Sequence, residues 1–448
     1  MAARDSTSSR RDEHHGTAGR GPNEVRALSA LAFEELRGFP GAIRDMHLGI
    51  AQRAFDGVGA AGRPVQVLHD ALSRRVYDAA ASGAALVGRV ADTAIERQGI
   101  GEELALSSTR GGSATIAALN GLIGDRLERS GSDLHQLVSL RLDGEVVSLD
   151  ERSLRAAFPD ASSRLVVFLH GLMGTEFYWD WGGAEHGECY GARLVSDLGC
   201  SALYVRYNSG RHISENGRSV AARLEELIAA WPVEVHEIAL VGHSMGGLVA
   251  RSACHHGSQD GQRWTERVRH VVSLGTPHLG APLEQGVHVA AAAFSALPET
   301  RMFGAFLRKR SAGIRDLRHG SLVDEDWRGR DPDALRAAAC REVPLLEGAT
   351  HCFVSATVTR DPRHPLGRLL GDTLVLMPSA TGQGRTRRIP FDARHGHHVS
   401  PTHHLALLKH PEVYERLREW LQPRDGRSRA TRADAQRRNV RSKRSRSR

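Results

Sequence analysis

Cysteine is scarce in this chain: five residues in 448, at 189, 200, 254, 340 and 352, an odd and scattered set with no Cys-x-x-Cys pair. That excludes a disulfide-dense scaffold and points to free thiols in a reducing compartment, with Cys340 and Cys352 a close pair worth a test. Long apolar runs are also missing. The longest uncharged stretches, such as Gly111 to Gly124, fall short of the roughly 20 residues a membrane-spanning helix needs. The opening thirty residues contain twin arginines, Arg10 and Arg11, but polar and acidic residues follow where a signal peptide would place its apolar core. The expected location is therefore cytoplasmic, with peripheral contact at a membrane surface still open.

Charge is absent from most of the chain in the net sense. The formal charge is +8, but the segment from Arg424 onward carries eleven basic and two acidic residues, so the body before it is close to neutral. The tail reads as a disordered, solvated end, and it is the only part suited to nucleic acid. Apolar residues at 40% and charged residues at 25% leave ample material for a globular core.

The organisation follows from periodicity. Residues 1–23 are polar and expected to be disordered; 24–130 are Ala-rich with a helical period, as at Val65, Leu68, Leu72, Val76 and Ala80. Residues 137–149 read as a hairpin turning at Asp143-Gly144. Short apolar runs follow at 164–170, 202–207, 237–243, 269–275 and 352–358, separated by helical patterns such as 217–231. Strands buried on both faces and alternating with helices predict an α/β fold with a mostly parallel sheet flanked by helices. A helical lid or cap is expected over about 280–342, and the catalytic domain over 137–422, leaving 423–448 as the basic tail.

Chemistry enters at "EIALVGHSMGGLVARSAC". Gly242-x-Ser244-x-Gly246 between a strand and a helix is a nucleophile elbow, a turn tight enough to push the serine hydroxyl out of the sheet edge. The Met245 N–H at the following helix N-terminus is a candidate oxyanion donor. A second is Leu172 in "VVFLHGLMGT", where Gly171 lets the chain turn toward the elbow. His170 reads as a brace for that loop or, with His243 and His278, as a candidate pocket residue. Phe177, Tyr178 and Trp179 are candidates for an acyl pocket or for plain packing.

A serine needs a base and the base an orienting acid, in the chain order Ser, Asp or Glu, His. Asp361 lies in a Pro-rich turn; Asp372 follows Gly371 and precedes an apolar run, where a partly buried carboxylate best holds an imidazole. Asp372 is favoured. Residues 394–411 hold six histidines, at 395, 397, 398, 403, 404 and 410. Spacing alone does not separate His403 from His404. His395, His397 and His398 with Asp392 are the one set that could suit a metal, against the simpler reading of exposed loop histidines. His410 with Pro411 is expected to open a last helix burying Val413, Leu417 and Trp420.

Taken together, "HGLMGT", "GHSMGG", "SLGTPHLG", "GDTLVLMPSA" and "HHLALLKHPEVYERLREWL" resemble the lipase/esterase branch of the α/β-hydrolase superfamily, in particular GPI inositol-deacylase-like and bacterial triacylglycerol-lipase-like members. The likeness covers roughly 137–422, and "RYNSGRHISENGR" at 206–218 is similar to uncharacterised bacterial hydrolases of this type. The resemblance implies Ser244 as nucleophile, Asp372 as acid and His404, which directly precedes a short apolar run, as base. Ala406 departs from it, since an acidic residue is common in that run. It implies a carboxylic ester hydrolase acting on lipid or acyl esters through an acyl-enzyme, with no metal or organic cofactor. An acyltransferase using the same serine, or a non-catalytic binding protein on this scaffold, is the alternative.

Overall fold

The computed structural model describes residues 24, 27–28, 63, 66–67, 70–71, 106–180, 188–281, 310–331, 340–385 and 387–423. The expectations for the polar N-terminus, the helical repeat at Val65 to Ala80, most of the 280–342 insertion and the tail from Arg424 lie outside them.

Among the described residues eight strands form one sheet: β1 Ser139–Leu142, β2 Glu145–Val147, β3 Arg164–Leu169, β4 Ser201–Arg206, β5 Glu237–His243, β6 Val268–Leu274, β7 Thr350–Ala356 and β8 Gly396–Val399, in the spatial order β2-β1-β4-β3-β5-β6-β7-β8. The hairpin β1–β2 turns at Asp143 (φ 50°) and Gly144 (φ 89°) and joins the sheet antiparallel to β4. From β4 to β8 every pairing is parallel. The five apolar runs read from the sequence are the central strands.

Successive side chains of a strand face opposite sides, and here both sides are dry. Leu165, Val167 and Leu169 of β3 join a core with Leu203, Leu240 and Val271, while Val166 and Phe168 join a second core with Val241 and Val354. Helix α1 spans Arg110–Arg129, α2 Tyr190–Leu198, α3 Ile213–Ala230, α4 Met245–Gln259 and α5 Pro411–Leu421. Leu224 of α3 and Leu248 of α4 close the first core; Leu194 of α2 with Tyr414 and Leu417 of α5 close the second. Truncating a side chain such as Leu248 leaves a cavity in a close-packed layer, costing about 2–5 kcal/mol.

α5 begins as its sequence dictates. His410 Nδ1 accepts from Glu412 N at 3.2 Å, and Pro411 occupies the first turn, where its missing N–H has no partner to lose. Its buried face is Val413, Tyr414, Leu417 and Leu421, with Trp420 half-buried, one residue round from the expected stripe.

The expectation of loop histidines at 395, 397 and 398 is corrected. His395 closes a short 3-10 turn at Ala393–His395, but Gly396–Val399 is strand β8, pairing with Phe353 to Ala356 of β7. Four residues with two histidines lack the apolar pattern of a buried strand, yet an edge strand needs only one neighbour. All five cysteines, Cys340 and Cys352 included, are free thiols. No described helix is long and apolar enough to cross a membrane.

Candidate active site

β5 ends in the middle of the sheet and α4 starts one residue later. Ser244 takes φ 54° and ψ −123°, backbone angles that cost a non-glycine residue about 1–3 kcal/mol and persist only when the surroundings enforce them. The surroundings do so. Ser244 N donates to Leu274 O at the end of β6 (2.8 Å), and Gly247 N donates to Ser244 O (3.1 Å). A Cβ on Gly242 would fall 2.4 Å from the Gly246 carbonyl carbon, and one on Gly246 would fall 2.2 Å from Leu169 O. Strand and helix approach at that range only without side chains. Met245, the first helical residue, has no intrahelical acceptor for its N–H, and the helix end adds partial positive charge beside Ser244.

Gly171 lies directly beside the elbow: a Cβ there would sit 3.0 Å from Ser244 Cβ. Its carbonyl accepts from Gly174 N (3.1 Å) and from His170 Nδ1 (2.8 Å). In a planar trans peptide the C=O and the next N–H point in opposite directions, so pinning Gly171 O also fixes where the Leu172 N–H points. Among the described residues the Leu172 N–H has no acceptor. Met173, next along, has φ 58° and donates its own N–H to Ser209 Oγ at 3.0 Å.

Asp372 and His404 meet at Oδ2 and Nδ1, 2.7 Å apart, both buried. Asp372 Oδ1 accepts from Leu374 N (3.0 Å) and Val375 N (2.8 Å), and its carbonyl accepts from His404 N (2.8 Å). The carboxylate is thus held by backbone on one oxygen and presents the other to the imidazole. With Nδ1 given to Asp372, the basic nitrogen of His404 is Nε2, which is buried and has no hydrogen-bond partner among the described residues. Asp361 instead is exposed and caps its own turn through Arg363 N (2.8 Å), and His403 is exposed where His404 is not.

Residues 207–311, a stretch that includes the elbow, match the family model of the PGAP1-like alpha/beta domain. The match joins an eight-stranded, mostly parallel sheet with the nucleophile turn at its centre. The chain has an α/β-hydrolase fold. Among solved structures it is similar to the Bacillus licheniformis lipase BlEst2 in propeptide form, with 18% identity and a TM-score of 0.38 over 58% of this chain and 50% of that one, so the match spans half of that relative's length. It is also similar to phospholipase PlaB from Legionella pneumophila, with 14% identity and a TM-score of 0.35 over 58% and 60% of the two chains. The metagenomic carboxyl esterase MGS0156 matches 70% of this chain and 88% of its own at 15% identity and a TM-score of 0.32. No curated protein matches the chain.

In this fold the candidate pocket side chains make packing contacts, one of the two readings the sequence left open for the aromatics. Phe177 lies under Gly144 of the hairpin, with the Arg110 guanidinium 5.0 Å from its ring. Trp179 packs edge-on against Phe168 (4.8 Å) in the second core, and Tyr178 packs against the same cluster. His243 Nε2 donates to His404 O (3.2 Å); since a carbonyl only accepts, that nitrogen carries the proton and the ring supports the His404 backbone. Burial first, then the His404 ring, holds its pKa well below the usual value, so it stays neutral. His278 is fully buried, 4.9 Å from the Phe391 ring and 3.5 Å from Arg251 Nη1.

His170 takes the role of brace. Its ring stacks on Tyr207 at 4.1 Å, and its Nε2 accepts from Tyr207 N at 3.2 Å, which leaves the proton on Nδ1 for Gly171 O. Burial holds its pKa down at about 4, so at neutral pH that tautomer is the only one the contacts allow. Two of the cluster histidines lie against polar or charged groups of other elements. His398 bridges Ser355 Oγ (2.9 Å) and Thr357 Oγ1 (3.2 Å), and His397 faces Glu412 at 3.5 Å.

One group escaped the sequence reading. Arg206, at the end of β4, is buried and pairs with Glu176 through Nε to Oε2 (2.7 Å) and Nη2 to Oε1, while Nη1 donates to Ser107 O (2.6 Å). The pair ties β4 to the turn after the Gly171 loop. The only signal was "RYNSG" itself, familiar in outline but without a motif that assigns a role.

Proposed function

We propose that the protein hydrolyses carboxylic esters with Ser244 as nucleophile, through a covalent acyl-enzyme, and that its substrates are lipid or other acyl esters. The observation that carries this is a strained serine on an elbow in the same sheet edge as a buried Asp372–His404 pair at 2.7 Å.

The steps follow from these groups. His404 Nε2 takes the proton of Ser244 Oγ as the oxygen attacks the ester carbonyl, and Asp372 holds the imidazole in the correct tautomer and stabilises the imidazolium that forms. The Leu172 and Met245 N–H groups bind the oxyanion, which carries more negative charge in the tetrahedral state than in the ester. His404 then gives its proton to the departing alcohol, leaving Ser244 acylated. Water enters, loses a proton to His404 and releases the carboxylic acid by the same route in reverse. Each cycle consumes one water and regenerates the free serine.

A fluorophosphonate reporter and a series of p-nitrophenyl esters from short to long chain test the reading directly. Wild type is expected to be labelled on Ser244 and to turn over at least one ester, while Ser244→Ala loses labelling and drops by roughly 10⁶-fold. Equal rates in wild type and Ser244→Ala would sink it. The chain-length profile, measured with and without vesicles, then separates a lipase-like preference from a small-ester one.

A further inference from the structure

α1 contributes none of the side chains proposed to carry the chemistry, yet it lies against the loop that carries the Leu172 N–H. Gly121 of α1 faces Met173 so closely that a Cβ would fall 2.3 Å from Met173 Cγ, 3.2 Å from its N and 3.3 Å from its Cα. Three residues on, a Cβ at Gly124 would fall 1.9 Å from Asn208 Oδ1, and Gly124 O accepts from Asn208 Nδ2 at 2.9 Å. The approach is mutual: a Cβ on Gly210 would fall 2.0 Å from Asn120 O. Between those contacts sits Ser209, whose Oγ accepts the Met173 N–H. The helix kinks at Ile123 (φ −139°), and Ser311 Oγ donates to Gly121 O at 2.6 Å across the kink.

We propose that α1, through Gly121 seated on Met173 and Gly124 locked to Asn208, is a positioning element that holds the oxyanion loop in its left-handed turn. The inference rests on the ester-hydrolase reading. Its physical basis is that Met173 is a non-glycine residue at φ 58°, a conformation it leaves unless something holds it. Two restraints meet there. Ser209 fixes the Leu172–Met173 peptide by its N–H, and the bare helix surface at Gly121 covers the side chain and backbone. The neighbouring peptide, which carries the Leu172 N–H, is fixed by His170 and Gly174 through Gly171 O. Loosening Met173 releases the C-terminal end of that peptide and lets the donor swing away from the developing oxyanion. Donor placement matters most in the tetrahedral state, so the loss falls on kcat and leaves ground-state binding, and hence KM, nearly unchanged.

The test uses the full-length protein with two single variants and one double. Gly121→Ala adds one methyl against Met173 while improving helix propensity, and Ser209→Ala removes the acceptor of the Met173 N–H without adding bulk. Each is expected to lower kcat by roughly 10-fold to 100-fold at unchanged KM and a near wild-type melting temperature. Gly121→Ala with Met173→Ala, which deletes the Cγ that the new methyl meets, is expected to regain part of the lost kcat. A kcat within about twofold of wild type in a folded single variant overturns the proposal. A rise in KM at constant kcat overturns it too, as does activity that falls only in step with melting temperature. Fluorophosphonate labelling of wild type reports separately: an unlabelled wild-type Ser244 fails the underlying reading, whereas a labelled wild type beside fully active variants fails the positioning role alone.

Discussion

On one flank of Ser244 two side chains act on each other, Asp372 and His404 at 2.7 Å, each further fixed by backbone. On the other flank the groups proposed to bind the oxyanion are backbone N–H donors, and the side chains around them, His170, Tyr207 and Ser209, hold the chain. The first flank depends on which residues are present; the second depends on where the backbone goes. A substitution on the first removes a chemical group outright. One on the second leaves every donor in place and moves it.

The sharpest way to break this contrast is at the base. His404→Ala is expected to lower kcat by roughly 10⁵-fold to 10⁶-fold, and His403→Ala to leave it within about twofold. Single-turnover rates on the best ester check this, and a larger loss at His403 would reverse the assignment. Asp372→Asn comes next, with roughly 10⁴-fold lost, since the amide can offer N–H where Nδ1–H needs an acceptor and so favours the wrong tautomer. A loss under tenfold would mean that the backbone bonds of His404 orient it unaided.

Smaller effects probe the second flank. Arg206→Met leaves Glu176 buried without its partner and is expected to destabilise the fold by about 3–5 kcal/mol in urea unfolding. Arg206→Met with Glu176→Leu is expected to recover most of that, because two apolar groups need no compensating charge. The mildest expectation concerns pH. Burial holds His170 and His351 at about 4 against an ordinary value of 6.5, and holds His243 and His278 well below it too. Between about pH 6.5 and about 4 the unfolded chain takes up protons that the folded chain refuses, so stability falls as pH falls through that window. Melting temperature across the range checks the sign; a maximum near the acid end would contradict it.

What could be read from the sequence divides along the same line. The elbow was legible because "GHSMG" needs its residue types at fixed spacing, and the central strands because a two-sided core demands unbroken apolar runs. Asp372 was separable from Asp361 by its apolar surroundings, while His403 and His404 look alike until the chain folds and buries one of them. β8 was hidden because Gly396-His397-His398-Val399 borrows its stability from β7 and from hydroxyl partners, not from an apolar pattern. The part of Ser209 and Gly121 was hidden for a different reason. Their contribution is proximity to a backbone that lies 36 residues away in one case and belongs to another element in the other, and no local spacing encodes that.

The sheet order has a consequence for the life of the chain before it is complete. Ser244 directly follows β5, whereas β8 and His404 arrive only after the whole of the remaining sheet, and the β7–β8 pairing cannot form until then. As a chain emerges from its N-terminus, domains and subdomains condense in the order they are made. A nascent chain of this protein therefore carries its elbow serine for some 160 residues of synthesis with no base to activate it. If His404 acts as proposed, the hydroxyl stays chemically idle on the ribosome, and reactivity switches on in a single event, when the last edge of the sheet closes.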